Sequence, residues 1–185
     1  MALIPPVGRL AALALLSFLC CCGVQPQRVL DVLAMPDLCR HWGALPRTVY
    51  IDPSAQDYAR SVEWGVARWN EALGVETLRL TTDPGADIVV VTGDAGDHAI
   101  GLAHNICRDG QLASRLILES GLDLPQSAGL ATHELGHALG LGHSLNKRSI
   151  MYPKISGSLM GEEHWPQQIT DLDARVAASL HGVRR

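Results

Sequence analysis

The feature that most constrains the fold of this sequence is the stretch HELGHALGLGH, residues 133–143. Residues four apart on an α-helix share a face, with Cβ atoms about 5–6 Å apart. A helix through this stretch therefore presents the imidazoles of His133 and His137 to one point, while Glu134 projects about 100° away. We expect the histidine side to face a cleft and the apolar side to face the core. The apolar side comprises Ala128, Ala131, Leu135, Ala138 and Leu139.

Gly140 gives this helix a place to end. Glycine adopts the left-handed conformation that closes helices, so the chain can turn and bring His143 back toward the first two histidines. Three neutral imidazoles with one open position are the ligand set of a catalytic zinc site. Histidines facing solvent on a polar helix stripe are the alternative. The spacing HExxHxxGxxH fixes five residue identities and favours one Zn²⁺ held by His133, His137 and His143.

Strand and helix patterns alternate along the rest of the chain. Apolar residues at helical spacing predict a helix that ends before Gly74, with Ser54 and Asp57 as its capping box. They also predict a last helix that begins near Thr170, with Thr170 and Asp173 as its capping box. The sequence therefore predicts an α/β domain with a mostly parallel, twisted sheet and three main helices. The segments typical of β-strands are 47–51, 77–81, 87–92, 100–105 and 114–119.

Length and composition favour one compact domain. The 185 residues are enough for one core and few for two. With 47% hydrophobic and 18% charged residues, a largely disordered chain is excluded. The net charge of -4, with no basic cluster longer than Arg184-Arg185, disfavours nucleic-acid binding. Nothing indicates oligomerisation, so we expect a monomer.

The first 22 residues are typical of an export leader. Arg9 precedes an apolar run, 10–22, that is too short to span a membrane but suits a signal peptide. We expect a secreted or periplasmic protein. No A-x-A site follows, and Leu19 three residues before Cys22 resembles a bacterial lipobox, so a membrane anchor on Cys22 is the alternative. Residues 23–46, with three prolines, would be a linker or N-terminal arm.

Export leaves two cysteines outside the leader, Cys39 and Cys107. An oxidising compartment favours a disulfide between them. Two unpaired core cysteines are one alternative. The other is a removable prosegment whose Cys39 thiolate blocks a metal, although the surrounding PDLCRHWG does not match the expected prosegment motif.

The zinc motif and the residues after it resemble the metzincin proteases, and within them the matrixin branch that includes the matrix metalloproteinases. Ser144 directly after the third histidine and SIMYP at 149–153 carry this resemblance. It extends at lower specificity over a catalytic domain at 47–182. It implies an α+β zincin fold, Met151 as the methionine of a Met-turn beneath the zinc, and an antiparallel edge strand over the cleft. In the family that strand binds a peptide substrate, which implies a role for the backbones of Leu102 and Ala103.

The sequence departs from the family pattern at its accessory metal sites. His104 falls where a ligand of a structural zinc would be, but Asp94, Asp97 and His98 are wrongly spaced to complete the set. A surface His104 is the expectation, and a structural zinc is the alternative. His41, His164 and His181 have no partner pattern, so we expect them at the surface. The glycine-rich calcium loop is abbreviated, which leaves calcium open. We expect neither a full prosegment nor a C-terminal accessory domain.

Together these features predict a zinc-dependent endopeptidase that hydrolyses internal peptide bonds. Zinc would activate a water molecule and Glu134 would be its general base. One alternative is a zinc-bearing, non-proteolytic module that binds a peptide at the edge strand, although such a module needs no general base. Another is a zinc hydrolase of non-peptide amides. Substrate preference would come from a pocket walled by residues 152–165, with Trp165 either in that wall or packed under the last helix.

Overall fold

The computed structural model describes residues 44–96, 99–108, 111–153 and 168–184. The predicted leader and most of the arm, with Cys22 and Cys39, lie outside these residues, as do Asp97, His98 and Trp165. The described elements are β1 (Arg47–Ile51), a 3-10 helix (Pro53–Tyr58), α1 (Ala59–Leu73), β2 (Leu78–Thr81), β3 (Ile88–Thr92), β4 (Gly101–Arg108), β5 (Gln111–Leu118), α2 (Leu124–Ala138) and α3 (Asp171–Leu180).

The five strands form one sheet in the order β2-β1-β3-β5-β4. All neighbours are parallel except β4 and β5, which form an antiparallel hairpin at one edge. The hairpin register runs without a bulge from Gly101 opposite Leu118 to Arg108 opposite Gln111. The predicted α/β domain, with a mostly parallel sheet and an antiparallel edge strand, is therefore confirmed.

The start of the first helix differs from the prediction. Ser54 and Asp57 do not form a capping box, because residues Pro53–Tyr58 form a 3-10 helix and α1 begins only at Ala59. The carboxylate of Asp52 caps the 3-10 segment by accepting a hydrogen bond from the Ser54 N–H at 2.9 Å. An aspartate before proline suits this role, because proline at the first helical position has no N–H to satisfy.

Helix α2 packs against α1 and against the hairpin of β4 and β5. Gly65 of α1 allows the close approach of the two helices, since a Cβ there would lie 3.0 Å from Leu135 Cδ1. The indole N–H of Trp69 donates to the carbonyl of Thr132 at 2.9 Å and locks the pair together. Among the helices that the structure describes, none is long and apolar enough to cross a membrane.

Candidate active site

Helix α2 carries the histidine motif, and its first turn is fixed by a capping box. The carboxylate of Asp123 accepts from the Gln126 N–H at 2.8 Å, and the Gln126 side chain accepts from the Asp123 N–H. Pro125 occupies the first turn. The spacing of aspartate and glutamine three residues apart is a sequence signal for a helix start, and it could have located this cap in advance.

The end of α2 is a glycine turn, as the sequence predicts. Gly140 has a φ of 92°, the left-handed conformation that side chains disfavour. Its N–H donates to the carbonyl of His137 at 2.9 Å, and the N–H of Leu141 donates to that of Gly136 at 3.0 Å. These two bonds define a Schellman motif. The turn reverses the chain within three residues and delivers His143 to the other two histidines.

The three histidines meet through their Nε2 atoms. Nε2 of His137 lies 3.0 Å from that of His133 and 3.2 Å from that of His143. Tetrahedral zinc with Zn–N bonds of about 2.0–2.1 Å separates its ligand nitrogens by about 3.3 Å. The observed distances are close to that value. In the part of the chain that the structure describes, this is the one cluster of side chains able to hold a metal.

The hydrogen bonds of the ring Nδ1 atoms decide what these nitrogens can bind. Nδ1 of His133 lies 2.6 Å from the carbonyl oxygen of Ile150, and Nδ1 of His137 lies 2.7 Å from that of Leu141. A carbonyl only accepts, so both Nδ1 atoms carry the proton and both Nε2 atoms present lone pairs. Two lone pairs 3.0 Å apart repel each other unless a cation lies between them. The donor set therefore fits a metal ion.

Burial keeps these histidines neutral. Desolvation lowers the pKa of His133 to about 4, against the smaller opposing effect of its bond to Ile150. Desolvation also lowers the pKa of His137 and His143, and His137 is affected further by its two histidine neighbours. Neutral imidazole is the form that binds metal, so no protons need to be displaced from these rings at neutral pH.

Glu134 lies beside this cluster, under the edge strand. Its Oε1 would be 2.8 Å from a Cβ built on Gly101, so the absence of a side chain there makes room for the carboxyl group. Desolvation raises the pKa of Glu134 to about 8, and a hydrogen bond from the backbone of Ala103 opposes that shift. The side chain is only 4% exposed.

The segment Ser149–Met151 supports two of the three histidines from below. Besides the bond of Ile150 to His133, the carbonyl of Met151 accepts from the N–H of Ser144, the neighbour of His143, at 2.8 Å. The Met151 side chain is fully buried and packs against Gly136, which lies between His133 and His137 on α2. This is the place predicted for the methionine of a Met-turn.

The same segment is tied to the C-terminal helix. The Ser149 hydroxyl donates to the Asp173 carboxylate at 2.7 Å and accepts from the Met151 N–H at 2.9 Å. The other oxygen of Asp173 accepts from Thr170, which caps α3 as predicted. Sequence reasoning identified the cap of α3 but not its second role, because Ser149 and Asp173 are 24 residues apart.

Side chains from three other elements cap the carbonyl end of α2. Arg47 is buried, and desolvation lowers its pKa to about 10, so it stays charged at neutral pH. The prediction that His181 is a surface residue is wrong, because it is half-buried and its Nε2 donates to a carbonyl at 3.0 Å. The three bonds run from Asn105 to His137, from Arg47 to Ala138 and from His181 to Leu139.

Helix α2 is buried on the histidine side as well as on the predicted core side. Every residue from Gly129 to Ala138 is buried, including both histidines and Glu134. The sheet hairpin covers the side that carries the polar residues, and α1 covers another. A helix with polar groups buried on this scale needs partners for each of them, and the bonds described above supply those partners.

The two predicted substrate-binding residues differ in where their main-chain groups point. The N–H of Glu119 donates to the carbonyl of Ile100 at 2.9 Å. Because antiparallel pairs alternate, Leu102 then exchanges main-chain bonds with Ile117, while Ala103 faces the free side of β4. The bond from Ala103 to Glu134 agrees with this alternation. Ala103, and not Leu102, has its main-chain groups on the edge side, where its N–H is bonded to Glu134 and its carbonyl is left for an added strand.

The remaining predicted residues lie away from the histidine cluster. His104 is exposed on the outer face of β4, opposite Arg115. Cys107 is disulfide-bonded. Its predicted partner Cys39 lies outside the described residues, so that pairing stays a prediction.

Comparison with known proteins identifies a family for most of this chain. The sequence model described as matrixin matches residues 55–182, which include all three helices and the three histidines. Human matrix metalloproteinase-20 is 25% identical over an alignment that covers 71% of this chain and 29% of the relative. Metalloendoproteinase 2-MMP of Arabidopsis thaliana is 49% identical over 25% of this chain and 12% of its own length. The chain thus spans less than a third of these relatives.

A solved structure matches the fold. The structure of myroilysin superposes with a TM-score of 0.54 and 13% identity, over 75% of this chain and 80% of that one. At this identity the match supports the arrangement of sheet and helices alone.

Proposed function

This chain belongs to the matrixin family, and we propose that it is a zinc-dependent endopeptidase that cleaves internal bonds of protein or peptide substrates. The observation that carries the proposal is the convergence of three neutral histidines, His133, His137 and His143, with Glu134 on the same helix beside them. The names of the relatives support the same activity, since they describe metalloproteinases.

The histidines would hold one catalytic zinc through their Nε2 atoms. The carbonyls of Ile150 and Leu141 fix the orientation of two of the rings, and such outer partners also raise the basicity of a ligand histidine. When bound, zinc supplies Lewis-acid chemistry that polarises the scissile carbonyl and makes water a nucleophile at neutral pH.

Glu134 would act as the general base. Its carboxyl group, kept ionised by the charge of a bound zinc against the desolvation that raises its pKa, would take the proton of the attacking water and pass it to the leaving amine as the peptide bond breaks. The Ala103 N–H holds the carboxylate on the cleft side of α2, and Gly101 lets it lie close under β4. A held carboxylate loses less entropy in reaching the reactive position.

The free side of β4 would bind the substrate as an added strand. An edge strand offers unpaired main-chain groups to an extended peptide. Ala103 lies next to Glu134, because its N–H binds the Glu134 carboxylate. A peptide paired with β4 at Ala103 would therefore pass over the histidines. Pairing through the main chain would accept many sequences, and the preference would then come from the pocket next to the zinc.

We further propose that the catalytic domain covers 47–182 and that the protein is exported, with residues 1–22 as a leader and Cys22 as the alternative point of membrane attachment. The apolar run after Arg9 supports export. The leader and the attachment point lie before the described part of the chain.

The test is cleavage of a mixed peptide library by the zinc-loaded full chain, read by mass spectrometry with and without a chelator. We expect chelator-sensitive internal cleavage, and we expect Glu134→Gln to bind zinc but lose cleavage. His143→Ala should lose zinc on dialysis, because it removes a ligand. Peptide binding by the wild type without cleavage would instead support a binding module. Cleavage of non-peptide amides without cleavage of peptides would support a zinc hydrolase of non-peptide amides.

A further inference from the structure

Asn105 joins the edge strand directly to the helix that carries the histidines. Its Nδ2 donates to the carbonyl of His137 at 3.0 Å, and its Oδ1 accepts from the Ser114 hydroxyl at 2.7 Å. The Ser114 bond orients the amide, because a hydroxyl donor selects the oxygen end and leaves the nitrogen end toward α2. Asn105 is thus held from β5 and holds β4 to α2.

Helix α2 does not need this bond in order to end. The carbonyl of His137 already accepts from the Gly140 N–H in the Schellman motif. A carbonyl has two lone pairs, and Asn105 uses the second. The consequence of the bond is therefore the link between strand and helix, and not the termination of the helix.

The link has a counterpart two residues earlier in β4. The Ala103 N–H binds the Glu134 carboxylate, and Glu134 lies one turn before His137 on α2. Residues two apart in a strand are roughly 7 Å apart. Ala103, through its N–H, and Asn105, through its side chain, therefore form two separate attachments between β4 and α2. Among the described strands, β4 has a neighbour on one side only, so these attachments set its height above the helix.

We infer that Asn105 is a positioning residue that fixes the spacing between the peptide-binding edge and the metal-binding helix. The inference rests on the proposed function. A peptide added to β4 takes its position from that strand, whereas the zinc takes its position from α2. Any change in the distance between the two moves the scissile carbonyl relative to the metal, and a misplacement of about 1 Å can cost about 100-fold in rate.

The test compares Asn105→Ala with Asn70→Ala in the zinc-loaded full chain. Asn70 is a matched control, because its amide also bridges two elements: Nδ2 donates to the Leu78 carbonyl at 2.9 Å, and Oδ1 accepts from the Thr77 N–H at 2.8 Å. It lies between α1 and β2, away from the site. The Asn70 Oδ1 also accepts from the Thr77 hydroxyl and the Leu78 N–H, so the control loses more hydrogen bonds and should lose at least as much stability as Asn105→Ala.

Two readouts separate positioning from stability. The first is kcat/KM for a long peptide able to pair along β4 and for a short one that reaches only the residues flanking the scissile bond. For Asn105→Ala we expect a roughly 10- to 100-fold loss on the long peptide and a much smaller loss on the short one. The second is amide exchange in residues 101–108, which should accelerate in Asn105→Ala and not in Asn70→Ala. Ser114→Ala should change both readouts in the same direction but less.

Equal losses on long and short peptides, or the same selectivity change in Asn70→Ala, would overturn the inference. If the wild type cleaves no peptide, the proposed function fails, and amide exchange alone decides whether Asn105 holds the strand. Unchanged exchange in Asn105→Ala would then overturn the inference as well.

Discussion

Gly136 is the point at which the zinc helix touches its methionine support, and Gly136→Ala should destabilise the protein. A Cβ at this position would lie 2.3 Å from Met151 Sδ and 2.9 Å from Trp69 Cζ2. Ordinary carbon contacts lie at about 3.5–4.0 Å. Neither neighbour can swing into solvent, since both are fully buried and the Trp69 indole is bonded to Thr132.

The expected magnitude follows from two opposing effects. Alanine in place of glycine favours a helix by about 1 kcal/mol. Overpacking of a rigid core costs about 1–3 kcal/mol, and the short distances to two buried side chains place this site at the upper end. The net loss in the free energy of unfolding should be about 2 kcal/mol, or roughly 4–8 °C in Tm for a domain of this size.

Denaturant unfolding of the zinc-loaded protein measures this loss. Gly93→Ala is the matched control, because its Cβ would meet only Ile117 Cγ2 at an ordinary 3.5 Å, and its stability should change by less than about 0.5 kcal/mol. In a double-mutant cycle, Met151→Ala should cost less in the Gly136→Ala background than in the wild type, because it relieves the overlap. A Gly136→Ala protein as stable as the wild type would refute this account of the contact.

Two further predictions concern the C-terminal helix and the disulfide. Burial lowers the pKa of His181 below its usual 6.5. Below that pH the unfolded chain therefore binds more protons than the folded protein does, and stability falls as the pH falls. Relative to His181→Gln, the zinc-loaded wild type should therefore lose stability as the pH falls below about 6.5, and a pH-independent difference in stability between the two proteins would contradict this. Peptide mapping of the oxidised protein should find Cys107 linked to Cys39, whereas a link to Cys20, Cys21 or Cys22 would contradict the predicted pairing.

Local patterns were sufficient to predict the elements and the metal ligands. The helix of His133 and His137, its end at Gly140 and the capped start of α3 each depend on residues within one or two turns. Such short-range geometry follows from periodicity and from glycine conformation. The mostly parallel sheet also followed, since strands and helices alternating in sequence favour a parallel sheet.

The contacts that hold the site together could not be predicted in the same way. Arg47 reaches Ala138 across 91 residues, and Asn105 reaches His137 across 32. Each is an ordinary polar residue in its own segment, with no local signal of a distant partner. The burial of the histidine side of α2 was not predicted for the same reason, because periodicity does not reveal how many elements will cover a helix.

The burial of α2 makes the metal site depend on elements far from it in sequence. A buried carbonyl without a partner costs about 1–3 kcal/mol, and three consecutive carbonyls at the end of this helix receive bonds from β1, β4 and the end of α3. The last of the three is the carbonyl of Leu139, two residues after His137, and the turn to His143 begins there. Loss of α3 would therefore remove two supports at once: the cap on Leu139 and the Asp173 bond to the segment beneath the histidines. The third ligand is the least buried of the three and is held only by the turn and by the bond of Ser144 to that same segment, so it should then be the first to lose its position.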